Sequence, residues 1–124
     1  MVSIFANILF MNYKLEYYNS SVQATLNAWP VGIRANFRGI TIRMIEHGPH
    51  LGFPHTRAMS DGLFEIRAKG AEGIGRAFFC MLVERRIVIL HSFIKKTDKT
   101  PQRELNIARA RLQEVKNATR QNHI

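Results

Sequence analysis

The sequence predicts an α+β fold, a compact and mainly antiparallel sheet with an N-terminal helical hairpin and a C-terminal helix. Three observations carry this expectation. Apolar residues in the first half recur three and four apart, the period of a helix. From residue 63 the period drops to two across "LFEIRA", "RAFFCMLV" and "RIVILHSFI". A last helical stretch, "TPQRELNIARARLQEVKNATR", follows a short polar linker. Helices and strands segregated in this way build an α+β layer, not an alternating α/β sheet. At 124 residues the chain is long enough for one domain with a real core. That domain is expected over residues 13–118. Residues 1–12 read as an N-terminal extension, with Met11 as an alternative start, and 119–124 as a frayed tail.

"YKLEYY" alternates as a short first strand. "NSSVQATLNAW" has a cap-like serine pair and apolar Val22, Leu26 and Trp29, a helix stopped near Pro30. Ile33, Phe37, Ile40 and Met44 then fall at spacings of four, three and four, the stripe of an amphipathic helix that ends at Gly48 and Pro49. Arg34, Arg38 and Arg43 are left on its solvated faces. "HGPHLGFPHTRAMSDG" reads as a loop by its Gly, Pro, Ser and Asp content. The three period-two runs after it, separated by "KGAEGIG" and "ERR", form an antiparallel meander with one face packed and the other partly open. Phe64 and Ile66 share one face and Glu65 and Arg67 the other, while His91, Phe93 and Lys95 share one side of the last strand. Thr100 as N-cap and Pro101 as first helical residue start the terminal helix. Leu105, Ala108, Leu112 and Val115 form its buried stripe. Arg103, Arg109, Arg111 and Lys116 are left to solvent or to a partner.

Charge points to a class of partner. Eighteen Lys and Arg against nine acids give +9. Residues 1–62 hold five bases and three acids, and residues 63–124 hold thirteen and six, so +7 of the excess lies in the second half. A polyanion is the expected partner, either nucleic acid or an acidic protein segment. Other classes fail. No stretch reaches the ~18 apolar residues of a membrane span, and the apolar start "MVSIFANILFMN" lacks a basic flank and a cleavage site. The one cysteine, Cys80, sits among apolar residues as a core residue and fits a reducing cytosol. "GAEGIG" joins strand to strand, so the dinucleotide fingerprint fails. His47, His50 and His55 match no zinc framework, so neither metal nor cofactor is expected.

Arg67, Arg76, Lys95 and Lys96 remain, on or near the open side of the sheet. RNA cleavage asks a 2′-hydroxyl to lose a proton and attack phosphorus, while the 5′-oxygen leaves and gains one. Guanidinium groups suit the charge that builds on the phosphoryl oxygens. The general base stays open between His91, with an unperturbed pKa near 6.5, and a lysine lowered by neighbouring cations. Basic residues at strand ends also simply keep an edge soluble.

"DGLFEIRAKG" and "GIGRAFFCMLVERRIVILHSFIKKTDKTPQRELNIARARL" resemble the RelE/HigB-type toxins of type II toxin–antitoxin systems. They are most similar to the phage-derived branch that reads "GLxELR", then an arginine opening the next strand, then "LHxFxKKTxKTP". The resemblance covers about residues 13–117 and is strongest from Asp61 to Leu112. It implies the fold derived above and a metal-independent endoribonuclease that cuts ribosome-associated mRNA and stops translation. It also implies a cytoplasmic protein neutralised by a cognate antitoxin, a helix-turn-helix protein encoded next to it. The catalytic positions carry over to Arg67, Arg76, Lys95 and Lys96, with His91 in a region where some relatives hold a histidine. Phe93, Lys69, Arg85 and Arg86 are the implied RNA-binding residues. Two departures stand out. Glu65 occupies a position that is basic in some members, and the terminal helix has no tyrosine to stack on a base, a task left to Phe93. A gyrase-inhibiting relative on the same scaffold and an inert antitoxin-binding remnant are the alternative readings.

Overall fold

The computed structural model describes residues 12–96 and 101–121. The expected extension up to residue 11, the Thr100 cap and residues 122–124 lie outside the described residues. The elements are β1 (Lys14–Tyr17), α1 (Ser20–Asn27), α2 (Val31–His47), β2 (Thr56–Ser60), β3 (Leu63–Gly70), β4 (Gly73–Leu82), β5 (Arg86–Lys95) and α3 (Gln102–Gln121). One sheet holds all five strands in the order β1-β5-β4-β3-β2. Strands β2 to β5 are an antiparallel meander, and β1 lies parallel to β5, with Lys14 beside Arg86 and Tyr17 beside Ile89. The α+β class and the helical hairpin are as expected.

Three expectations are corrected. The "HGPHLGFPHTRAMSDG" segment is not all loop, because Thr56–Ser60 forms β2. Asp61 (φ 52°) and Gly62 (φ 82°) make the tight left-handed turn that sends the chain back into β3, with Ser60 opposite Leu63. "GIG" belongs to β4 and not to a linker. The α1 cap is Asn19, whose side chain accepts from the Val22 N–H at 2.9 Å, and the serine pair forms the first turn. The terminal helix runs from Gln102 through Gln121, with the Pro101 carbonyl accepting from Glu104 and Leu105.

Helices cover both faces of the sheet, unequally. On one face α1 and α2 bury Leu26, Trp29, Ile33, Phe37 and Ile40 against Ile66, Phe79, Ile87 and Ile89. Trp29 reaches β4 because residue 75 is glycine, where a Cβ would come within 2.6 Å of its ring. Helix α2 begins after Pro30 with no side-chain cap of its own. Glu72, in the β3–β4 turn, accepts from the Gly32 N–H at 2.9 Å instead, and that bond holds its carboxyl below the ordinary glutamate value. On the other face Ala108 and Leu112 of α3 pack on Phe78, Cys80, Val88 and Leu90. Each large apolar side chain buried this way contributes about 1.5–3 kcal/mol.

Helix α3 rests mainly on β5 and β4 and reaches the end of β2 through Arg109. Its arginines are less free than its sequence pattern suggests. Arg109 donates to the Met59 carbonyl at 2.9 Å. Arg111 donates to the Leu90 carbonyl at 2.8 Å and lies over the Tyr18 ring. Leu90 is the residue skipped where Phe78 pairs with His91 and Phe79 with Ile89, so Arg111 reaches into a β-bulge. Among the described residues no helix is long and apolar enough to cross a membrane.

Candidate anion-binding site

Cross-strand register assembles the site. The β3–β4 turn pairs Gly70 with Gly73, which places Arg67 directly opposite Arg76. One strand further, Arg76 pairs with Phe93 and Ile74 with Lys95. On the other side Arg57 of β2 pairs with Glu65 of β3. Paired residues in a sheet share a face, so all of these lie on the same face as Phe78, the one on which α3 packs. Arg57, Glu65, Arg67, Arg76 and Lys95 line a pocket of about 80 Å³ there. The segment before β2 closes it with Phe53, Pro54 and His55.

Glu65 is the floor of this site. Its side chain has 0% exposure, with Oε1 3.1 Å from Arg57 Nε and Oε2 3.5 Å from Arg76 Nη1. Arg76 is itself buried. Burial pulls its guanidinium pKa below the ordinary value; Glu65 opposes that, and the charges of Arg57 and Arg67 reinforce it. Arg67 Nε is buried with no hydrogen-bond partner among the described residues. Four cationic groups (Arg57, Arg67, Arg76, Lys95) against one carboxylate leave a formal +3 around the pocket. Like charges facing each other across a ladder are unfavourable. The arrangement therefore suits an anion that accepts from several forks at once.

The expected site residues separate into groups. Arg67, Arg76 and Lys95 converge on the pocket, and Lys96 follows as an exposed residue just past β5. Lys69 lies on the same face, exposed, near the β3–β4 turn. Phe93 packs on Phe78 with ring centroids 5.8 Å apart, half-buried beside the site. His91 is next along that side and bonds Glu104 of α3. Arg85 and Arg86 stand at the other end of the sheet, where Arg86 pairs with Glu16 at 2.6 and 3.1 Å and Arg85 lies 5.5 Å from the Tyr13 ring centre.

Arg57, His55 and Phe53 are site residues that sequence reasoning missed, all of them in or beside the overlooked strand. Phe53 is 78% exposed at the pocket rim. The signal that would have found them is Asp61-Gly62 between two strand-like runs, the turn chemistry of a two-residue hairpin. Burial raises the Cys80 thiol to about 11, which fits a packing role. Among the described residues no three His, Cys, Asp or Glu side chains gather as a metal site.

Fold and site together define a small α+β protein that gathers a cluster of arginines around one buried carboxylate, on the sheet face where α3 also packs. The family model described as "Phage derived protein Gp49-like (DUF891)" matches residues 24–113. The chain belongs to this phage-derived family, a toxin-like family of toxin–antitoxin systems. The matched span runs from α1 into α3 and contains every residue lining the pocket. No curated protein matches the chain.

Proposed function

We propose that the chain is the toxin of a type II toxin–antitoxin system and acts as a RelE/HigB-type endoribonuclease on ribosome-associated mRNA, with no metal requirement. The observation that carries this reading is the convergence of Arg67, Arg76 and Lys95 on one pocket with a formal +3, in a chain of the Gp49-like family. A scissile phosphate seated there receives paired N–H donors from Arg67 and Arg76. Attack by the adjacent 2′-oxygen forms the new P–O bond and the 5′-oxygen bond breaks, giving a 2′,3′-cyclic phosphate and a free 5′-hydroxyl. The arginines stabilise the added charge on the phosphoryl oxygens between those events. Lys95, in the pocket, and His91, oriented by Glu104, are the candidates for moving the two protons.

Phe53 is better exposed than the half-buried Phe93 to stack on a base beside the scissile bond. The partner in this reading is a cognate antitoxin carrying an acidic segment, drawn by the +7 of residues 63–124. The test is expression without a partner. Growth should arrest and ribosome-associated mRNA should be cut, with cleavage by purified protein unaffected by a chelator. Unchanged protein synthesis at verified expression contradicts the reading.

A further inference from the structure

We propose that Glu65 is a positioning residue of the anion site, holding Arg57 and Arg76 so that both guanidinium groups serve one bound phosphate of a nucleic-acid strand. This rests on the anion-binding half of the reading above and not on cleavage. A carboxylate beside an anion weakens binding by simple Coulomb repulsion, and a buried one is unfavourable unless it is paired. Glu65 is fully buried, in a strand flanked by the two strands that supply its partners. Its Oε1 accepts a hydrogen bond from Arg57 Nε, while Oε2, which accepts none among the described residues, forms an ion pair with Arg76 Nη1 at 3.5 Å. Arg57 is bound through Nε, its side chain is 47% exposed and it lines the pocket, so its terminal amino groups are not used by Glu65. Arg67 completes the cluster from the position opposite Arg76. The carboxylate thus turns mutually repelling arginines into a fixed set of donors.

The sign of one substitution separates positioning from charge. Glu65→Gln adds one positive charge to the site, so charge alone predicts tighter binding of a polyanion. Positioning predicts weaker binding, by about 10-fold, the worth of a charge-assisted hydrogen bond. The probe is a labelled single-stranded oligodeoxynucleotide, which lacks the 2′-hydroxyl and stays intact, titrated by fluorescence anisotropy at low salt. Arg43→Ala, on the exposed side of α2, is the control. Equal or tighter binding by a Glu65→Gln protein that keeps its thermal midpoint overturns the proposal.

Should Glu65→Gln fail to fold, two substitutions at Arg57 decide. Arg57→Ala and Arg57→Lys should each bind about 10-fold more weakly, because lysine cannot bond Glu65 and still present a fork. Wild-type affinity in either overturns the proposal. A protein that binds the probe as described yet cuts no RNA would remove the nuclease reading and leave this one standing.

Discussion

Replacing Arg111 with alanine should destabilise the protein by about 2 kcal/mol, although the helical pattern of α3 places this arginine among its solvent-facing residues. The Arg111 hydrogen bond to the Leu90 carbonyl is 2.8 Å long and comes from a charged donor, a class worth about 1.5–3 kcal/mol. Its guanidinium also lies 4.6 Å from the centre of the Tyr18 ring, which adds about 0.5–1 kcal/mol. Alanine recovers a few tenths of a kcal/mol in helix propensity, and water reaching the freed carbonyl recovers more. For a chain of this length the thermal midpoint should fall by about 6–10 °C. Urea titration followed by the fluorescence of Trp29, the one tryptophan and part of the first core, gives the free energy directly. Arg111→Lys should fall between, since it keeps a donor but loses the planar stack. A change below about 0.5 kcal/mol for Arg111→Ala would refute the claim that this arginine ties α3 to the bulge.

Two further predictions concern single groups. Cys80, with its thiol pushed up to about 11, should resist alkylation at pH 8 in the folded protein and react only on unfolding; rapid native-state labelling would contradict its burial. The carboxyl of Glu72 has a lowered folded-state pKa, so its contribution is present above the ordinary glutamate value and lost as pH falls through the lowered one. The Gly32 amide resonance should therefore titrate below the usual glutamate range, and the titration should vanish in Glu72→Gln.

Local signals explain what the sequence made legible. The helical hairpin was readable because Ile33, Phe37, Ile40 and Met44 keep one period for a full helix and are all buried. The juxtaposition of Arg67 and Arg76 was readable in principle. Each lies three residues from the glycine pair Gly70 and Gly73, and a two-residue turn fixes which residues face each other. Strand β2 was obscured because "TRAMS" is mostly exposed and sits in a segment rich in turn formers, so composition outweighed the Asp61-Gly62 turn. The parallel pairing of β1 with β5 has no local signature at all, since those strands are far apart in the chain. Glu65 read as a defect in a basic strand, and only the positions of Arg57 and Arg76 show it as their common counter-ion. Arg85 and Arg86, which the resemblance implies as RNA-binding residues, stand at the far end of the sheet from the pocket because the ten residues of β4 carry the chain there.

The central claim is that Arg76 grips a phosphate in the transition state and is more than one positive charge among many. Arg76→Lys keeps the charge and removes the fork. Single-turnover cleavage of ribosome-bound mRNA by wild type and Arg76→Lys, with Arg43→Lys as control and thermal midpoints matched, measures this directly. The account predicts a loss of about 10²-fold or more in the cleavage step for Arg76→Lys, with little change in RNA affinity and no effect in the control. Cleavage by Arg76→Lys at the wild-type rate would contradict it.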